Sequence, residues 1–424
     1  MLTRQSVTDT KRQLRALFFT RFANAYGLVT LITLLPFYID LLGAEGLVLG
    51  MFATGLTLTQ AIAVIPVAYA GDRWDKRTFL LVGLVLATLV YVGFIFVETS
   101  WGFIVVRGAQ GIAATTAGLL SLALVGELAR EEGRANTIAK SNSWRFAAAI
   151  GGAMSAGVLY DAFGFEAVFG VLMVVTAGAA LAVWLWVEPD DTTVEGFAFS
   201  DMALNRRILT ITSFRAQYAV AVTLVRTWVP IYAGLAAAQG GLGLSAAVNG
   251  GLALGMVVSA EKFTNMLSQP YMGGLSDRFG RARFVFLGGL FYGAIAIAVP
   301  FTPAIGSALG LPATYPFIGY LSSGFLPLLV ITGLLGVADS IREPASMALF
   351  ADEGTGSGVA ASFGVRDLVW RPGAILAPLA GGWLTTNAGM EWVFYLGAAA
   401  AFTGVFAFLG ILSYDHGRAG LTKW

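Results

Sequence analysis

Gly273-Gly274-Leu275-Ser276-Asp277-Arg278-Phe279-Gly280-Arg281 lies between two long apolar runs. A partial copy, Ala68-Tyr69-Ala70-Gly71-Asp72-Arg73-Trp74-Asp75-Lys76-Arg77, lies between two others, 205 residues earlier counted from Asp72 to Asp277. Each reads as a short charged turn joining two membrane helices. The second copy is the fuller one. The first has Ala68 and Asp75 where the second has glycines. A charged turn repeated at half-chain spacing predicts a protein built from two related halves.

Composition agrees. The chain of 424 residues is 57% hydrophobic and 12% charged, against roughly 25% charged in soluble domains. No water-soluble fold of this length needs that much apolar surface. A formal charge of +1 gives no basic face for nucleic acid. The absence of cysteine removes disulfides, thiol catalysis and Cys-ligated zinc. The one histidine, His416, falls in the polar C-terminal tail, where a solvated side chain is the default. Metal and Ser-His chemistry have nothing to stand on, so the expectation is no enzyme, no catalytic residue, no metal and no cofactor.

A spanning helix needs roughly 20 mostly apolar residues. Twelve candidates follow, at 14–41, 46–70, 78–97, 101–127, 141–161, 165–187, 207–236, 246–272, 284–302, 316–350, 359–386 and 391–413. The tenth is over-long, with re-entrant or loop residues expected at its start. Arg4, Lys11, Arg12 and Arg15 precede a first apolar run too long for a signal-peptide core, so that run is expected to stay as the first helix. With the N-terminus in the cytoplasm, the cytoplasmic segments collect Arg73, Lys76 and Arg77; Arg130, Arg134 and Lys140; Arg206 and Arg207; Arg278, Arg281 and Arg283; and Arg418 and Lys423. The external loops hold no lysine or arginine. Asp40, Glu45, Glu98, Asp161, Glu166 and Glu391 lie in or beside them. This is the positive-inside pattern, and it predicts a multi-pass protein of the cell membrane with both termini cytoplasmic.

The repeat extends beyond the turns. At an offset of 225 (Glu127 to Asp352), Arg107-Gly-Ala-Gln-Gly111 lies over Thr332-Gly-Leu-Leu-Gly336. At the same offset Leu122-Ala-Leu-Val-Gly-Glu127 lies over Met347-Ala-Leu-Phe-Ala-Asp352, and Phe165-Glu-Ala-Val-Phe169 over Met390-Glu-Trp-Val-Phe394. The predicted domains are a six-helix bundle at 1–190, a polar cytoplasmic linker at 191–206 and a second bundle at 207–424.

The two turns resemble the Gly-x-Leu-Ala-Asp-Arg-x-Gly-Arg-Lys loop motif of the major facilitator superfamily. Arg107-Gly-Ala-Gln110-Gly111 resembles the family's Arg-x-x-Gln-Gly motif, and Glu131-Glu-Gly-Arg134-Ala resembles the loop that follows it. The exporter pattern Gly-Pro-x-x-Gly-Gly is reduced to Gly152-Ala-Met-Ser-Ala-Gly157 in the fifth helix. A better copy, Ala377-Pro378-Leu379-Ala380-Gly381-Gly382, stands in the eleventh. The resemblance covers nearly the whole chain. It implies an all-α integral membrane protein of twelve transmembrane helices in two pseudo-symmetric six-helix bundles. It also implies a monomer that works by alternating access, with a small organic solute bound between the halves. Proton-coupled export is the first expectation, and proton-coupled uptake of an organic anion the alternative. A non-transporting receptor or assembly factor on the same scaffold is a remote third. No ATPase motif is present, so an ion or substrate gradient supplies the energy, with protons the expected ion. Asp72, Arg73, Asp277, Arg278, Arg281, Glu127 and Asp352 are implied to form cytoplasmic latches.

Charges inside the apolar runs cost on the order of 3 kcal/mol each and usually face a bundle interior or a wet cavity. They are Arg21, Arg107, Arg145, Arg215, Arg226, Lys262, Arg342, Arg366 and Arg371, with Glu261, Asp339, Glu343 and Asp367. Asp339, Arg342 and Glu343 share a helical turn and Arg366 adjoins Asp367, a spacing that suits structural ion pairs or a gate. Arg107 has no acid in the deep parts of the first six helices. A backbone carbonyl, a second-half acid, a proton network or a substrate remains open as its partner. Asn24, Tyr26, Arg107, Gln110, Gln217, Tyr218, Arg226 and Trp228 are the substrate-binding candidates, on helices one, four and seven, which line the cavity in the family. Packing and interhelical hydrogen bonds compete for each. Glu261 is the first candidate for carrying a proton and Asp339 the next, with a local salt bridge as the rival reading for Glu261.

Overall fold

The computed structural model describes residues 4–129, 134–190, 206–316, 318–353 and 359–416. Most of the predicted linker, with Arg130, Glu131, Arg418 and Lys423, lies outside the described residues, as do the side chains of Arg134, Arg206, Arg207 and His416. The helices are α1 (Arg4–Thr33), α2 (Leu35–Leu42), α3 (Leu47–Arg73), α4 (Lys76–Ile95), α5 (Ser100–Leu128), α6 (Arg134–Trp186), α7 (Arg206–Gly234), α8 (Gly250–Phe279), α9 (Arg281–Ala298), α10 (Thr302–Ala308), α11 (Phe325–Glu353), α12 (Val359–Asn387) and α13 (Met390–His416).

Nine stretches of the described residues are long and apolar enough to cross a membrane. One, Lys140–Trp186, contains two crossings. Gly164 interrupts α6 with φ 75 and ψ −169, a region open essentially to glycine alone. The chain reverses there into two legs, 134–163 and 165–186. Arg21, Tyr26 and Thr30 of α1 meet Asn142, Ser155 and Gly152, so α1 and the first leg run in parallel. The second leg runs back, with Glu188 beyond its end at Gln13 and Gly178 beside Phe19. Adding α8 and α12, which are as long but carry charges in mid-course, completes the twelve crossings.

The chain forms two compact units. One comprises 1–34, 41–43 and 55–196; the other comprises 35–40, 44–54 and 197–424. In the first, α1 packs on α6, and α4 packs on α5 and α6. In the second, α7 packs on α12 and α13, and α9 packs on α11 and α13. The correspondence repeats in detail. Against α7, α12 is parallel, through Arg215 with Arg366 and Ala219 with Gly373. α13 is antiparallel, through Phe214 with Gly404 and Val225 with Gly397. Small residues carry these approaches, as expected where lipid removes the hydrophobic drive between helices. The first unit's core is Ala16, Leu17, Ala23, Leu80, Leu84, Ala117, Leu120, Leu124, Ala179 and Val183, drawn from α1, α4, α5 and α6.

Two local features refine the sequence reading. The over-long run predicted from 316 becomes helical at Phe325, and the residues at its start form the loop expected there. The apolar residues before it, broken by Pro316, Gly319 and Gly324, form a hairpin that pairs Thr314 with Tyr320 and Tyr315 with Gly319. The first helix starts ten residues before its apolar run, at Arg4. The two charged turns also differ. Gly280, at φ 101 and ψ 121, makes the turn into α9. Asp75 occupies the matching place at φ −55 and caps α4 with its carboxylate.

Candidate functional site

Each unit carries its own set of polar groups. In the first, α5 presents Arg107 and Gln110 one turn apart, both buried, and the guanidinium donates to Gln110 Oε1. Tyr91 of α4 stands beside both. Its hydroxyl fills the space a side chain at Gly27 would take. Arg107 Nε and Gln110 Nε2 have no partner, and no carboxylate pairs with Arg107 among the described residues. A buried cation held by one neutral amide is costly, and such intramembrane charges mark functional sites.

Asn24 and Tyr26 face different neighbours from α1. Asn24 Nδ2 donates to Ala114 O at 3.1 Å, one turn beyond Gln110. Tyr26 and Ser155 of α6 share a hydrogen bond of 2.5 Å, and Ser155 donates on to Gly151 O. Arg21 donates to Gly118 O and Asn142 Oδ1. Asn24 thus joins the Arg107 group, whereas Tyr26 lies toward the first leg of α6.

The second unit holds a continuous chain of opposite charges across four helices. Lys262 Nζ lies 3.1 Å from Glu261 Oε2, and Glu261 Oε1 lies 2.6 Å from Arg226 Nε. Arg226 reaches Asp339 at 2.8 Å, and Asp339 reaches Arg342 at 2.6 Å. Arg342 binds Glu343 at 2.6 Å, Glu343 pairs with Arg366, and Arg366 with Asp367 at 3.4 Å. Cation and anion alternate along all eight members. Asn265 Nδ2 also donates to Asp339 at 3.1 Å, and Arg215 Nε donates to Arg366 O at 2.8 Å.

The other predicted binding residues of this unit are largely enclosed. Tyr218 is fully buried, with the Arg342 guanidinium 4.0 Å from its ring centroid and Tyr292 packed against it. Trp228 is fully buried, its indole filling the space a side chain at Gly381 would take. Gln217 packs against Gly404, and its Oε1 is buried without a partner among the described residues. Arg226 joins Glu261 and Asp339, the two residues singled out for proton coupling.

At the helix ends three of the residues predicted as latches, Glu127, Arg281 and Asp352, enter two matching pairs. Lys76 reaches Glu127 at 3.0 Å in the first unit, and Arg281 pairs with Asp352 in the second. The donors are 205 residues apart and the acceptors 225, the two repeat offsets. Arg281 also binds Asp277 at 2.8 Å. Lys76 has a second carboxylate, Asp190, at 2.6 Å. Asp72 and Arg278 make no ion pair among the described residues, and Arg73 lies over the Tyr69 ring at 5.2 Å. Burial alone would raise the Asp75 carboxyl. The amide of Asp190, the Thr78 hydroxyl and the amides of Arg77 and Thr78 donate to it and together hold it below the usual carboxylate value.

Sequence reasoning missed Asp75, Lys76 and Asp190 at this end, and left Lys262 and Asn265 out of the candidate set. The repeat offset carried a signal for Lys76, which stands over Arg281. Among the described residues no group of three or more His, Cys, Asp or Glu could hold a metal ion.

Comparison with known proteins bears on the whole chain. The Major Facilitator Superfamily model matches residues 17–311 and 251–421. The inner membrane transport protein YajR of Escherichia coli is 29% identical over 153 residues, 36% of this chain and 33% of that protein. The MFS-type transporter MJ1560 of Methanocaldococcus jannaschii is 29% identical over 93 residues, 22% of this chain and 24% of that one. Among solved structures, a mutant form of the nucleoside transporter NupG superposes with a TM-score of 0.71 at 15% identity, covering 95% of this chain and 99% of that one. A POT family transporter in complex with 5-aminolevulinic acid gives 0.71 at 14% identity, covering 95% and 96%.

Proposed function

Because the chain belongs to the major facilitator superfamily, we propose that it is a secondary transporter that exports a small organic solute in exchange for protons. The observation that carries this reading is the chain of eight alternating charges from Lys262 to Asp367. Eight charges through membrane-crossing helices are expensive to keep, and such groups mark ion and substrate pathways. Glu261 and Asp339 are the carboxylates of the coupling site. Arg107 and Gln110, with Asn24 nearby, form the solute contact of the first unit. Gln217 and Arg226 supply that of the second, with Tyr218 and Trp228 as the walls behind them and Tyr26 as a support on α1. The pairs Lys76–Glu127 and Arg281–Asp352 act with Asp277 as cytoplasmic latches. Asp72, Arg73 and Arg278 are free to engage in another state of the cycle.

The working unit is a monomer in the cell membrane, with both termini cytoplasmic. The reading is supported by the absence of lysine and arginine from every external loop. A second reading, proton-coupled uptake of an organic anion, is favoured by one observation: Arg107 has no carboxylate partner among the described residues. An arginine fork suits a solute carboxylate in dry surroundings.

The test is transport by the purified full-length protein in liposomes under an imposed pH gradient, across a panel of anionic, neutral and cationic solutes. Export by exchange predicts solute and protons moving in opposite directions. Movement in the same direction selects the uptake reading. A panel in which no solute responds to the gradient overturns both.

A further inference from the structure

The chain of charges in the second unit has two ends. Asp367, at one, is 65% exposed. Lys262, at the other, has Glu261 as its one carboxylate partner among the described residues, and its side chain is 22% exposed. Around it stand Glu261 of its own helix, Arg226 of α7 and Asp339 of α11. Tyr292 of α9 stands beside Arg226 and Glu261.

A proton can enter or leave such a chain only where the loss of a charge strands no other charge in the interior. Arginines do not release protons at any working pH. Glu261 holds both Arg226 and Lys262, so protonating it leaves Lys262 without a carboxylate. Asp339 accepts from Arg226, Arg342 and Asn265, so protonating it weakens three donors at once. Glu343 holds Arg342 and Arg366 in the same way. Lys262 differs from all of these. When it gives up a proton, Glu261 keeps Arg226 at 2.6 Å and every remaining charge keeps a partner.

The choice of residue type points the same way. The interior cations elsewhere, Arg21, Arg107, Arg215, Arg226, Arg342 and Arg366, are arginines. The other lysines, Lys11, Lys76, Lys140 and Lys423, lie near helix ends or in the C-terminal tail. A permanent cation would serve Glu261 equally well as arginine. Of lysine and arginine, lysine is the one that can become neutral.

We propose that Lys262 is the proton-exchanging group of the transporter, with Glu261 as its counterion. The ammonium gives one proton to water on one side of the membrane, and the amine regains one from water on the other. This rests on the proton-coupled reading above and names the group that carries it.

The test uses full-length protein in liposomes with trapped pyranine, reading proton movement on addition of the same solute panel. Solute counterflow without a gradient is read in parallel. Lys262→Arg, which keeps the charge and cannot release it, is expected to retain counterflow within about threefold of wild type. Its solute-dependent proton movement is expected to fall at least tenfold, and the pH profile of its counterflow to flatten. Lys262→Gln is expected to show the same split and carries the test if the arginine variant does not fold. A folded variant that still moves protons with solute overturns the proposal. So does a folded variant that loses counterflow and proton movement together, since Lys262 would then be structural. If wild type itself moves no protons with any solute, the coupled-transport reading fails and this proposal fails with it. That outcome is told apart from the others because wild type and variants then behave alike.

Discussion

Asp75 and Gly280 hold the same place in the two loop copies and solve the same problem differently. Gly280 at φ 101 turns the chain where a side chain would be strained. Asp75 stays at φ −55 and accepts from Arg77 N at 3.0 Å and Thr78 N at 3.2 Å. Asp75→Asn leaves one accepting oxygen where two take bonds from the amides of Asp190, Arg77 and Thr78 and the Thr78 hydroxyl, and should destabilise by about 1 kcal/mol at neutral pH, the usual net worth of a hydrogen bond. Its folded carboxyl is held down, so its contribution is full above the ordinary carboxylate range and is lost as pH falls through the lower folded value. Melting curves of wild type and Asp75→Asn should therefore converge as pH is lowered toward that value. Equal melting at pH 7 would remove the cap from the account. Gly381 poses the opposite constraint. A Cβ there meets the Trp228 indole, so Gly381→Ala should lower stability by about 1–3 kcal/mol through overpacking, read as a fall in melting temperature.

At the scale of elements, the chain across α7, α8, α11 and α12 makes an unequal prediction for its members. Asp339→Asn leaves Arg226 and Arg342 with one carboxylate fewer inside the unit and should cost about 3–5 kcal/mol. Asp367→Asn, at an exposed end, should stay within about 0.5 kcal/mol. Denaturation of both variants in one detergent decides this, and equal losses would mean that the chain does not act as a connected unit. The same chain shows what the sequence could reveal. The spacing of Asp339, Arg342 and Glu343 announced a local pairing, because a helical turn is a short-range rule. The link from Arg226 to Asp339 joins helices distant in sequence, and no periodicity contains it. The missing partner of Arg107 was legible because an absence of deep acids can be counted along the chain. The enclosure of Tyr218 and Trp228 was not, since the buried face of an apolar helix depends on its neighbours. Helix number followed from apolar length. The break near Gly164 was legible as the gap between the helices predicted at 141–161 and 165–187, and loop residues were expected before Phe325; the pairing of Thr314 with Tyr320 was not legible, since apolar length does not record hairpin register.

At the scale of the molecule, topology and latch can both be tested on a chain that has no cysteine of its own. Single cysteines at Asp161 and Gly241 should react with an impermeant maleimide from outside intact cells, and reaction only after permeabilisation would reverse the orientation. For the latch, Asp277→Asn removes a bond to Arg281, whereas Asp72 makes no ion pair among the described residues. Turnover in liposomes should fall several-fold in the first variant and little in Asp72→Asn, with similar melting temperatures; wild-type turnover in Asp277→Asn would deny the latch. The alternation of the interior charges has an electrical consequence. With Lys262 protonated, four cations and four anions sum to zero, so in that state the membrane potential, worth roughly 2.3 kcal/mol per elementary charge per 100 mV, finds no net charge in that chain to pull on. Arg107 is different, since it carries a whole charge with no counter-ion beside it among the described residues. Voltage should therefore bias the empty carrier through its first unit. A bound monoanion at Arg107 would cancel that charge and make the loaded passage electrically silent, so the currents of the empty and loaded protein should differ in their dependence on voltage.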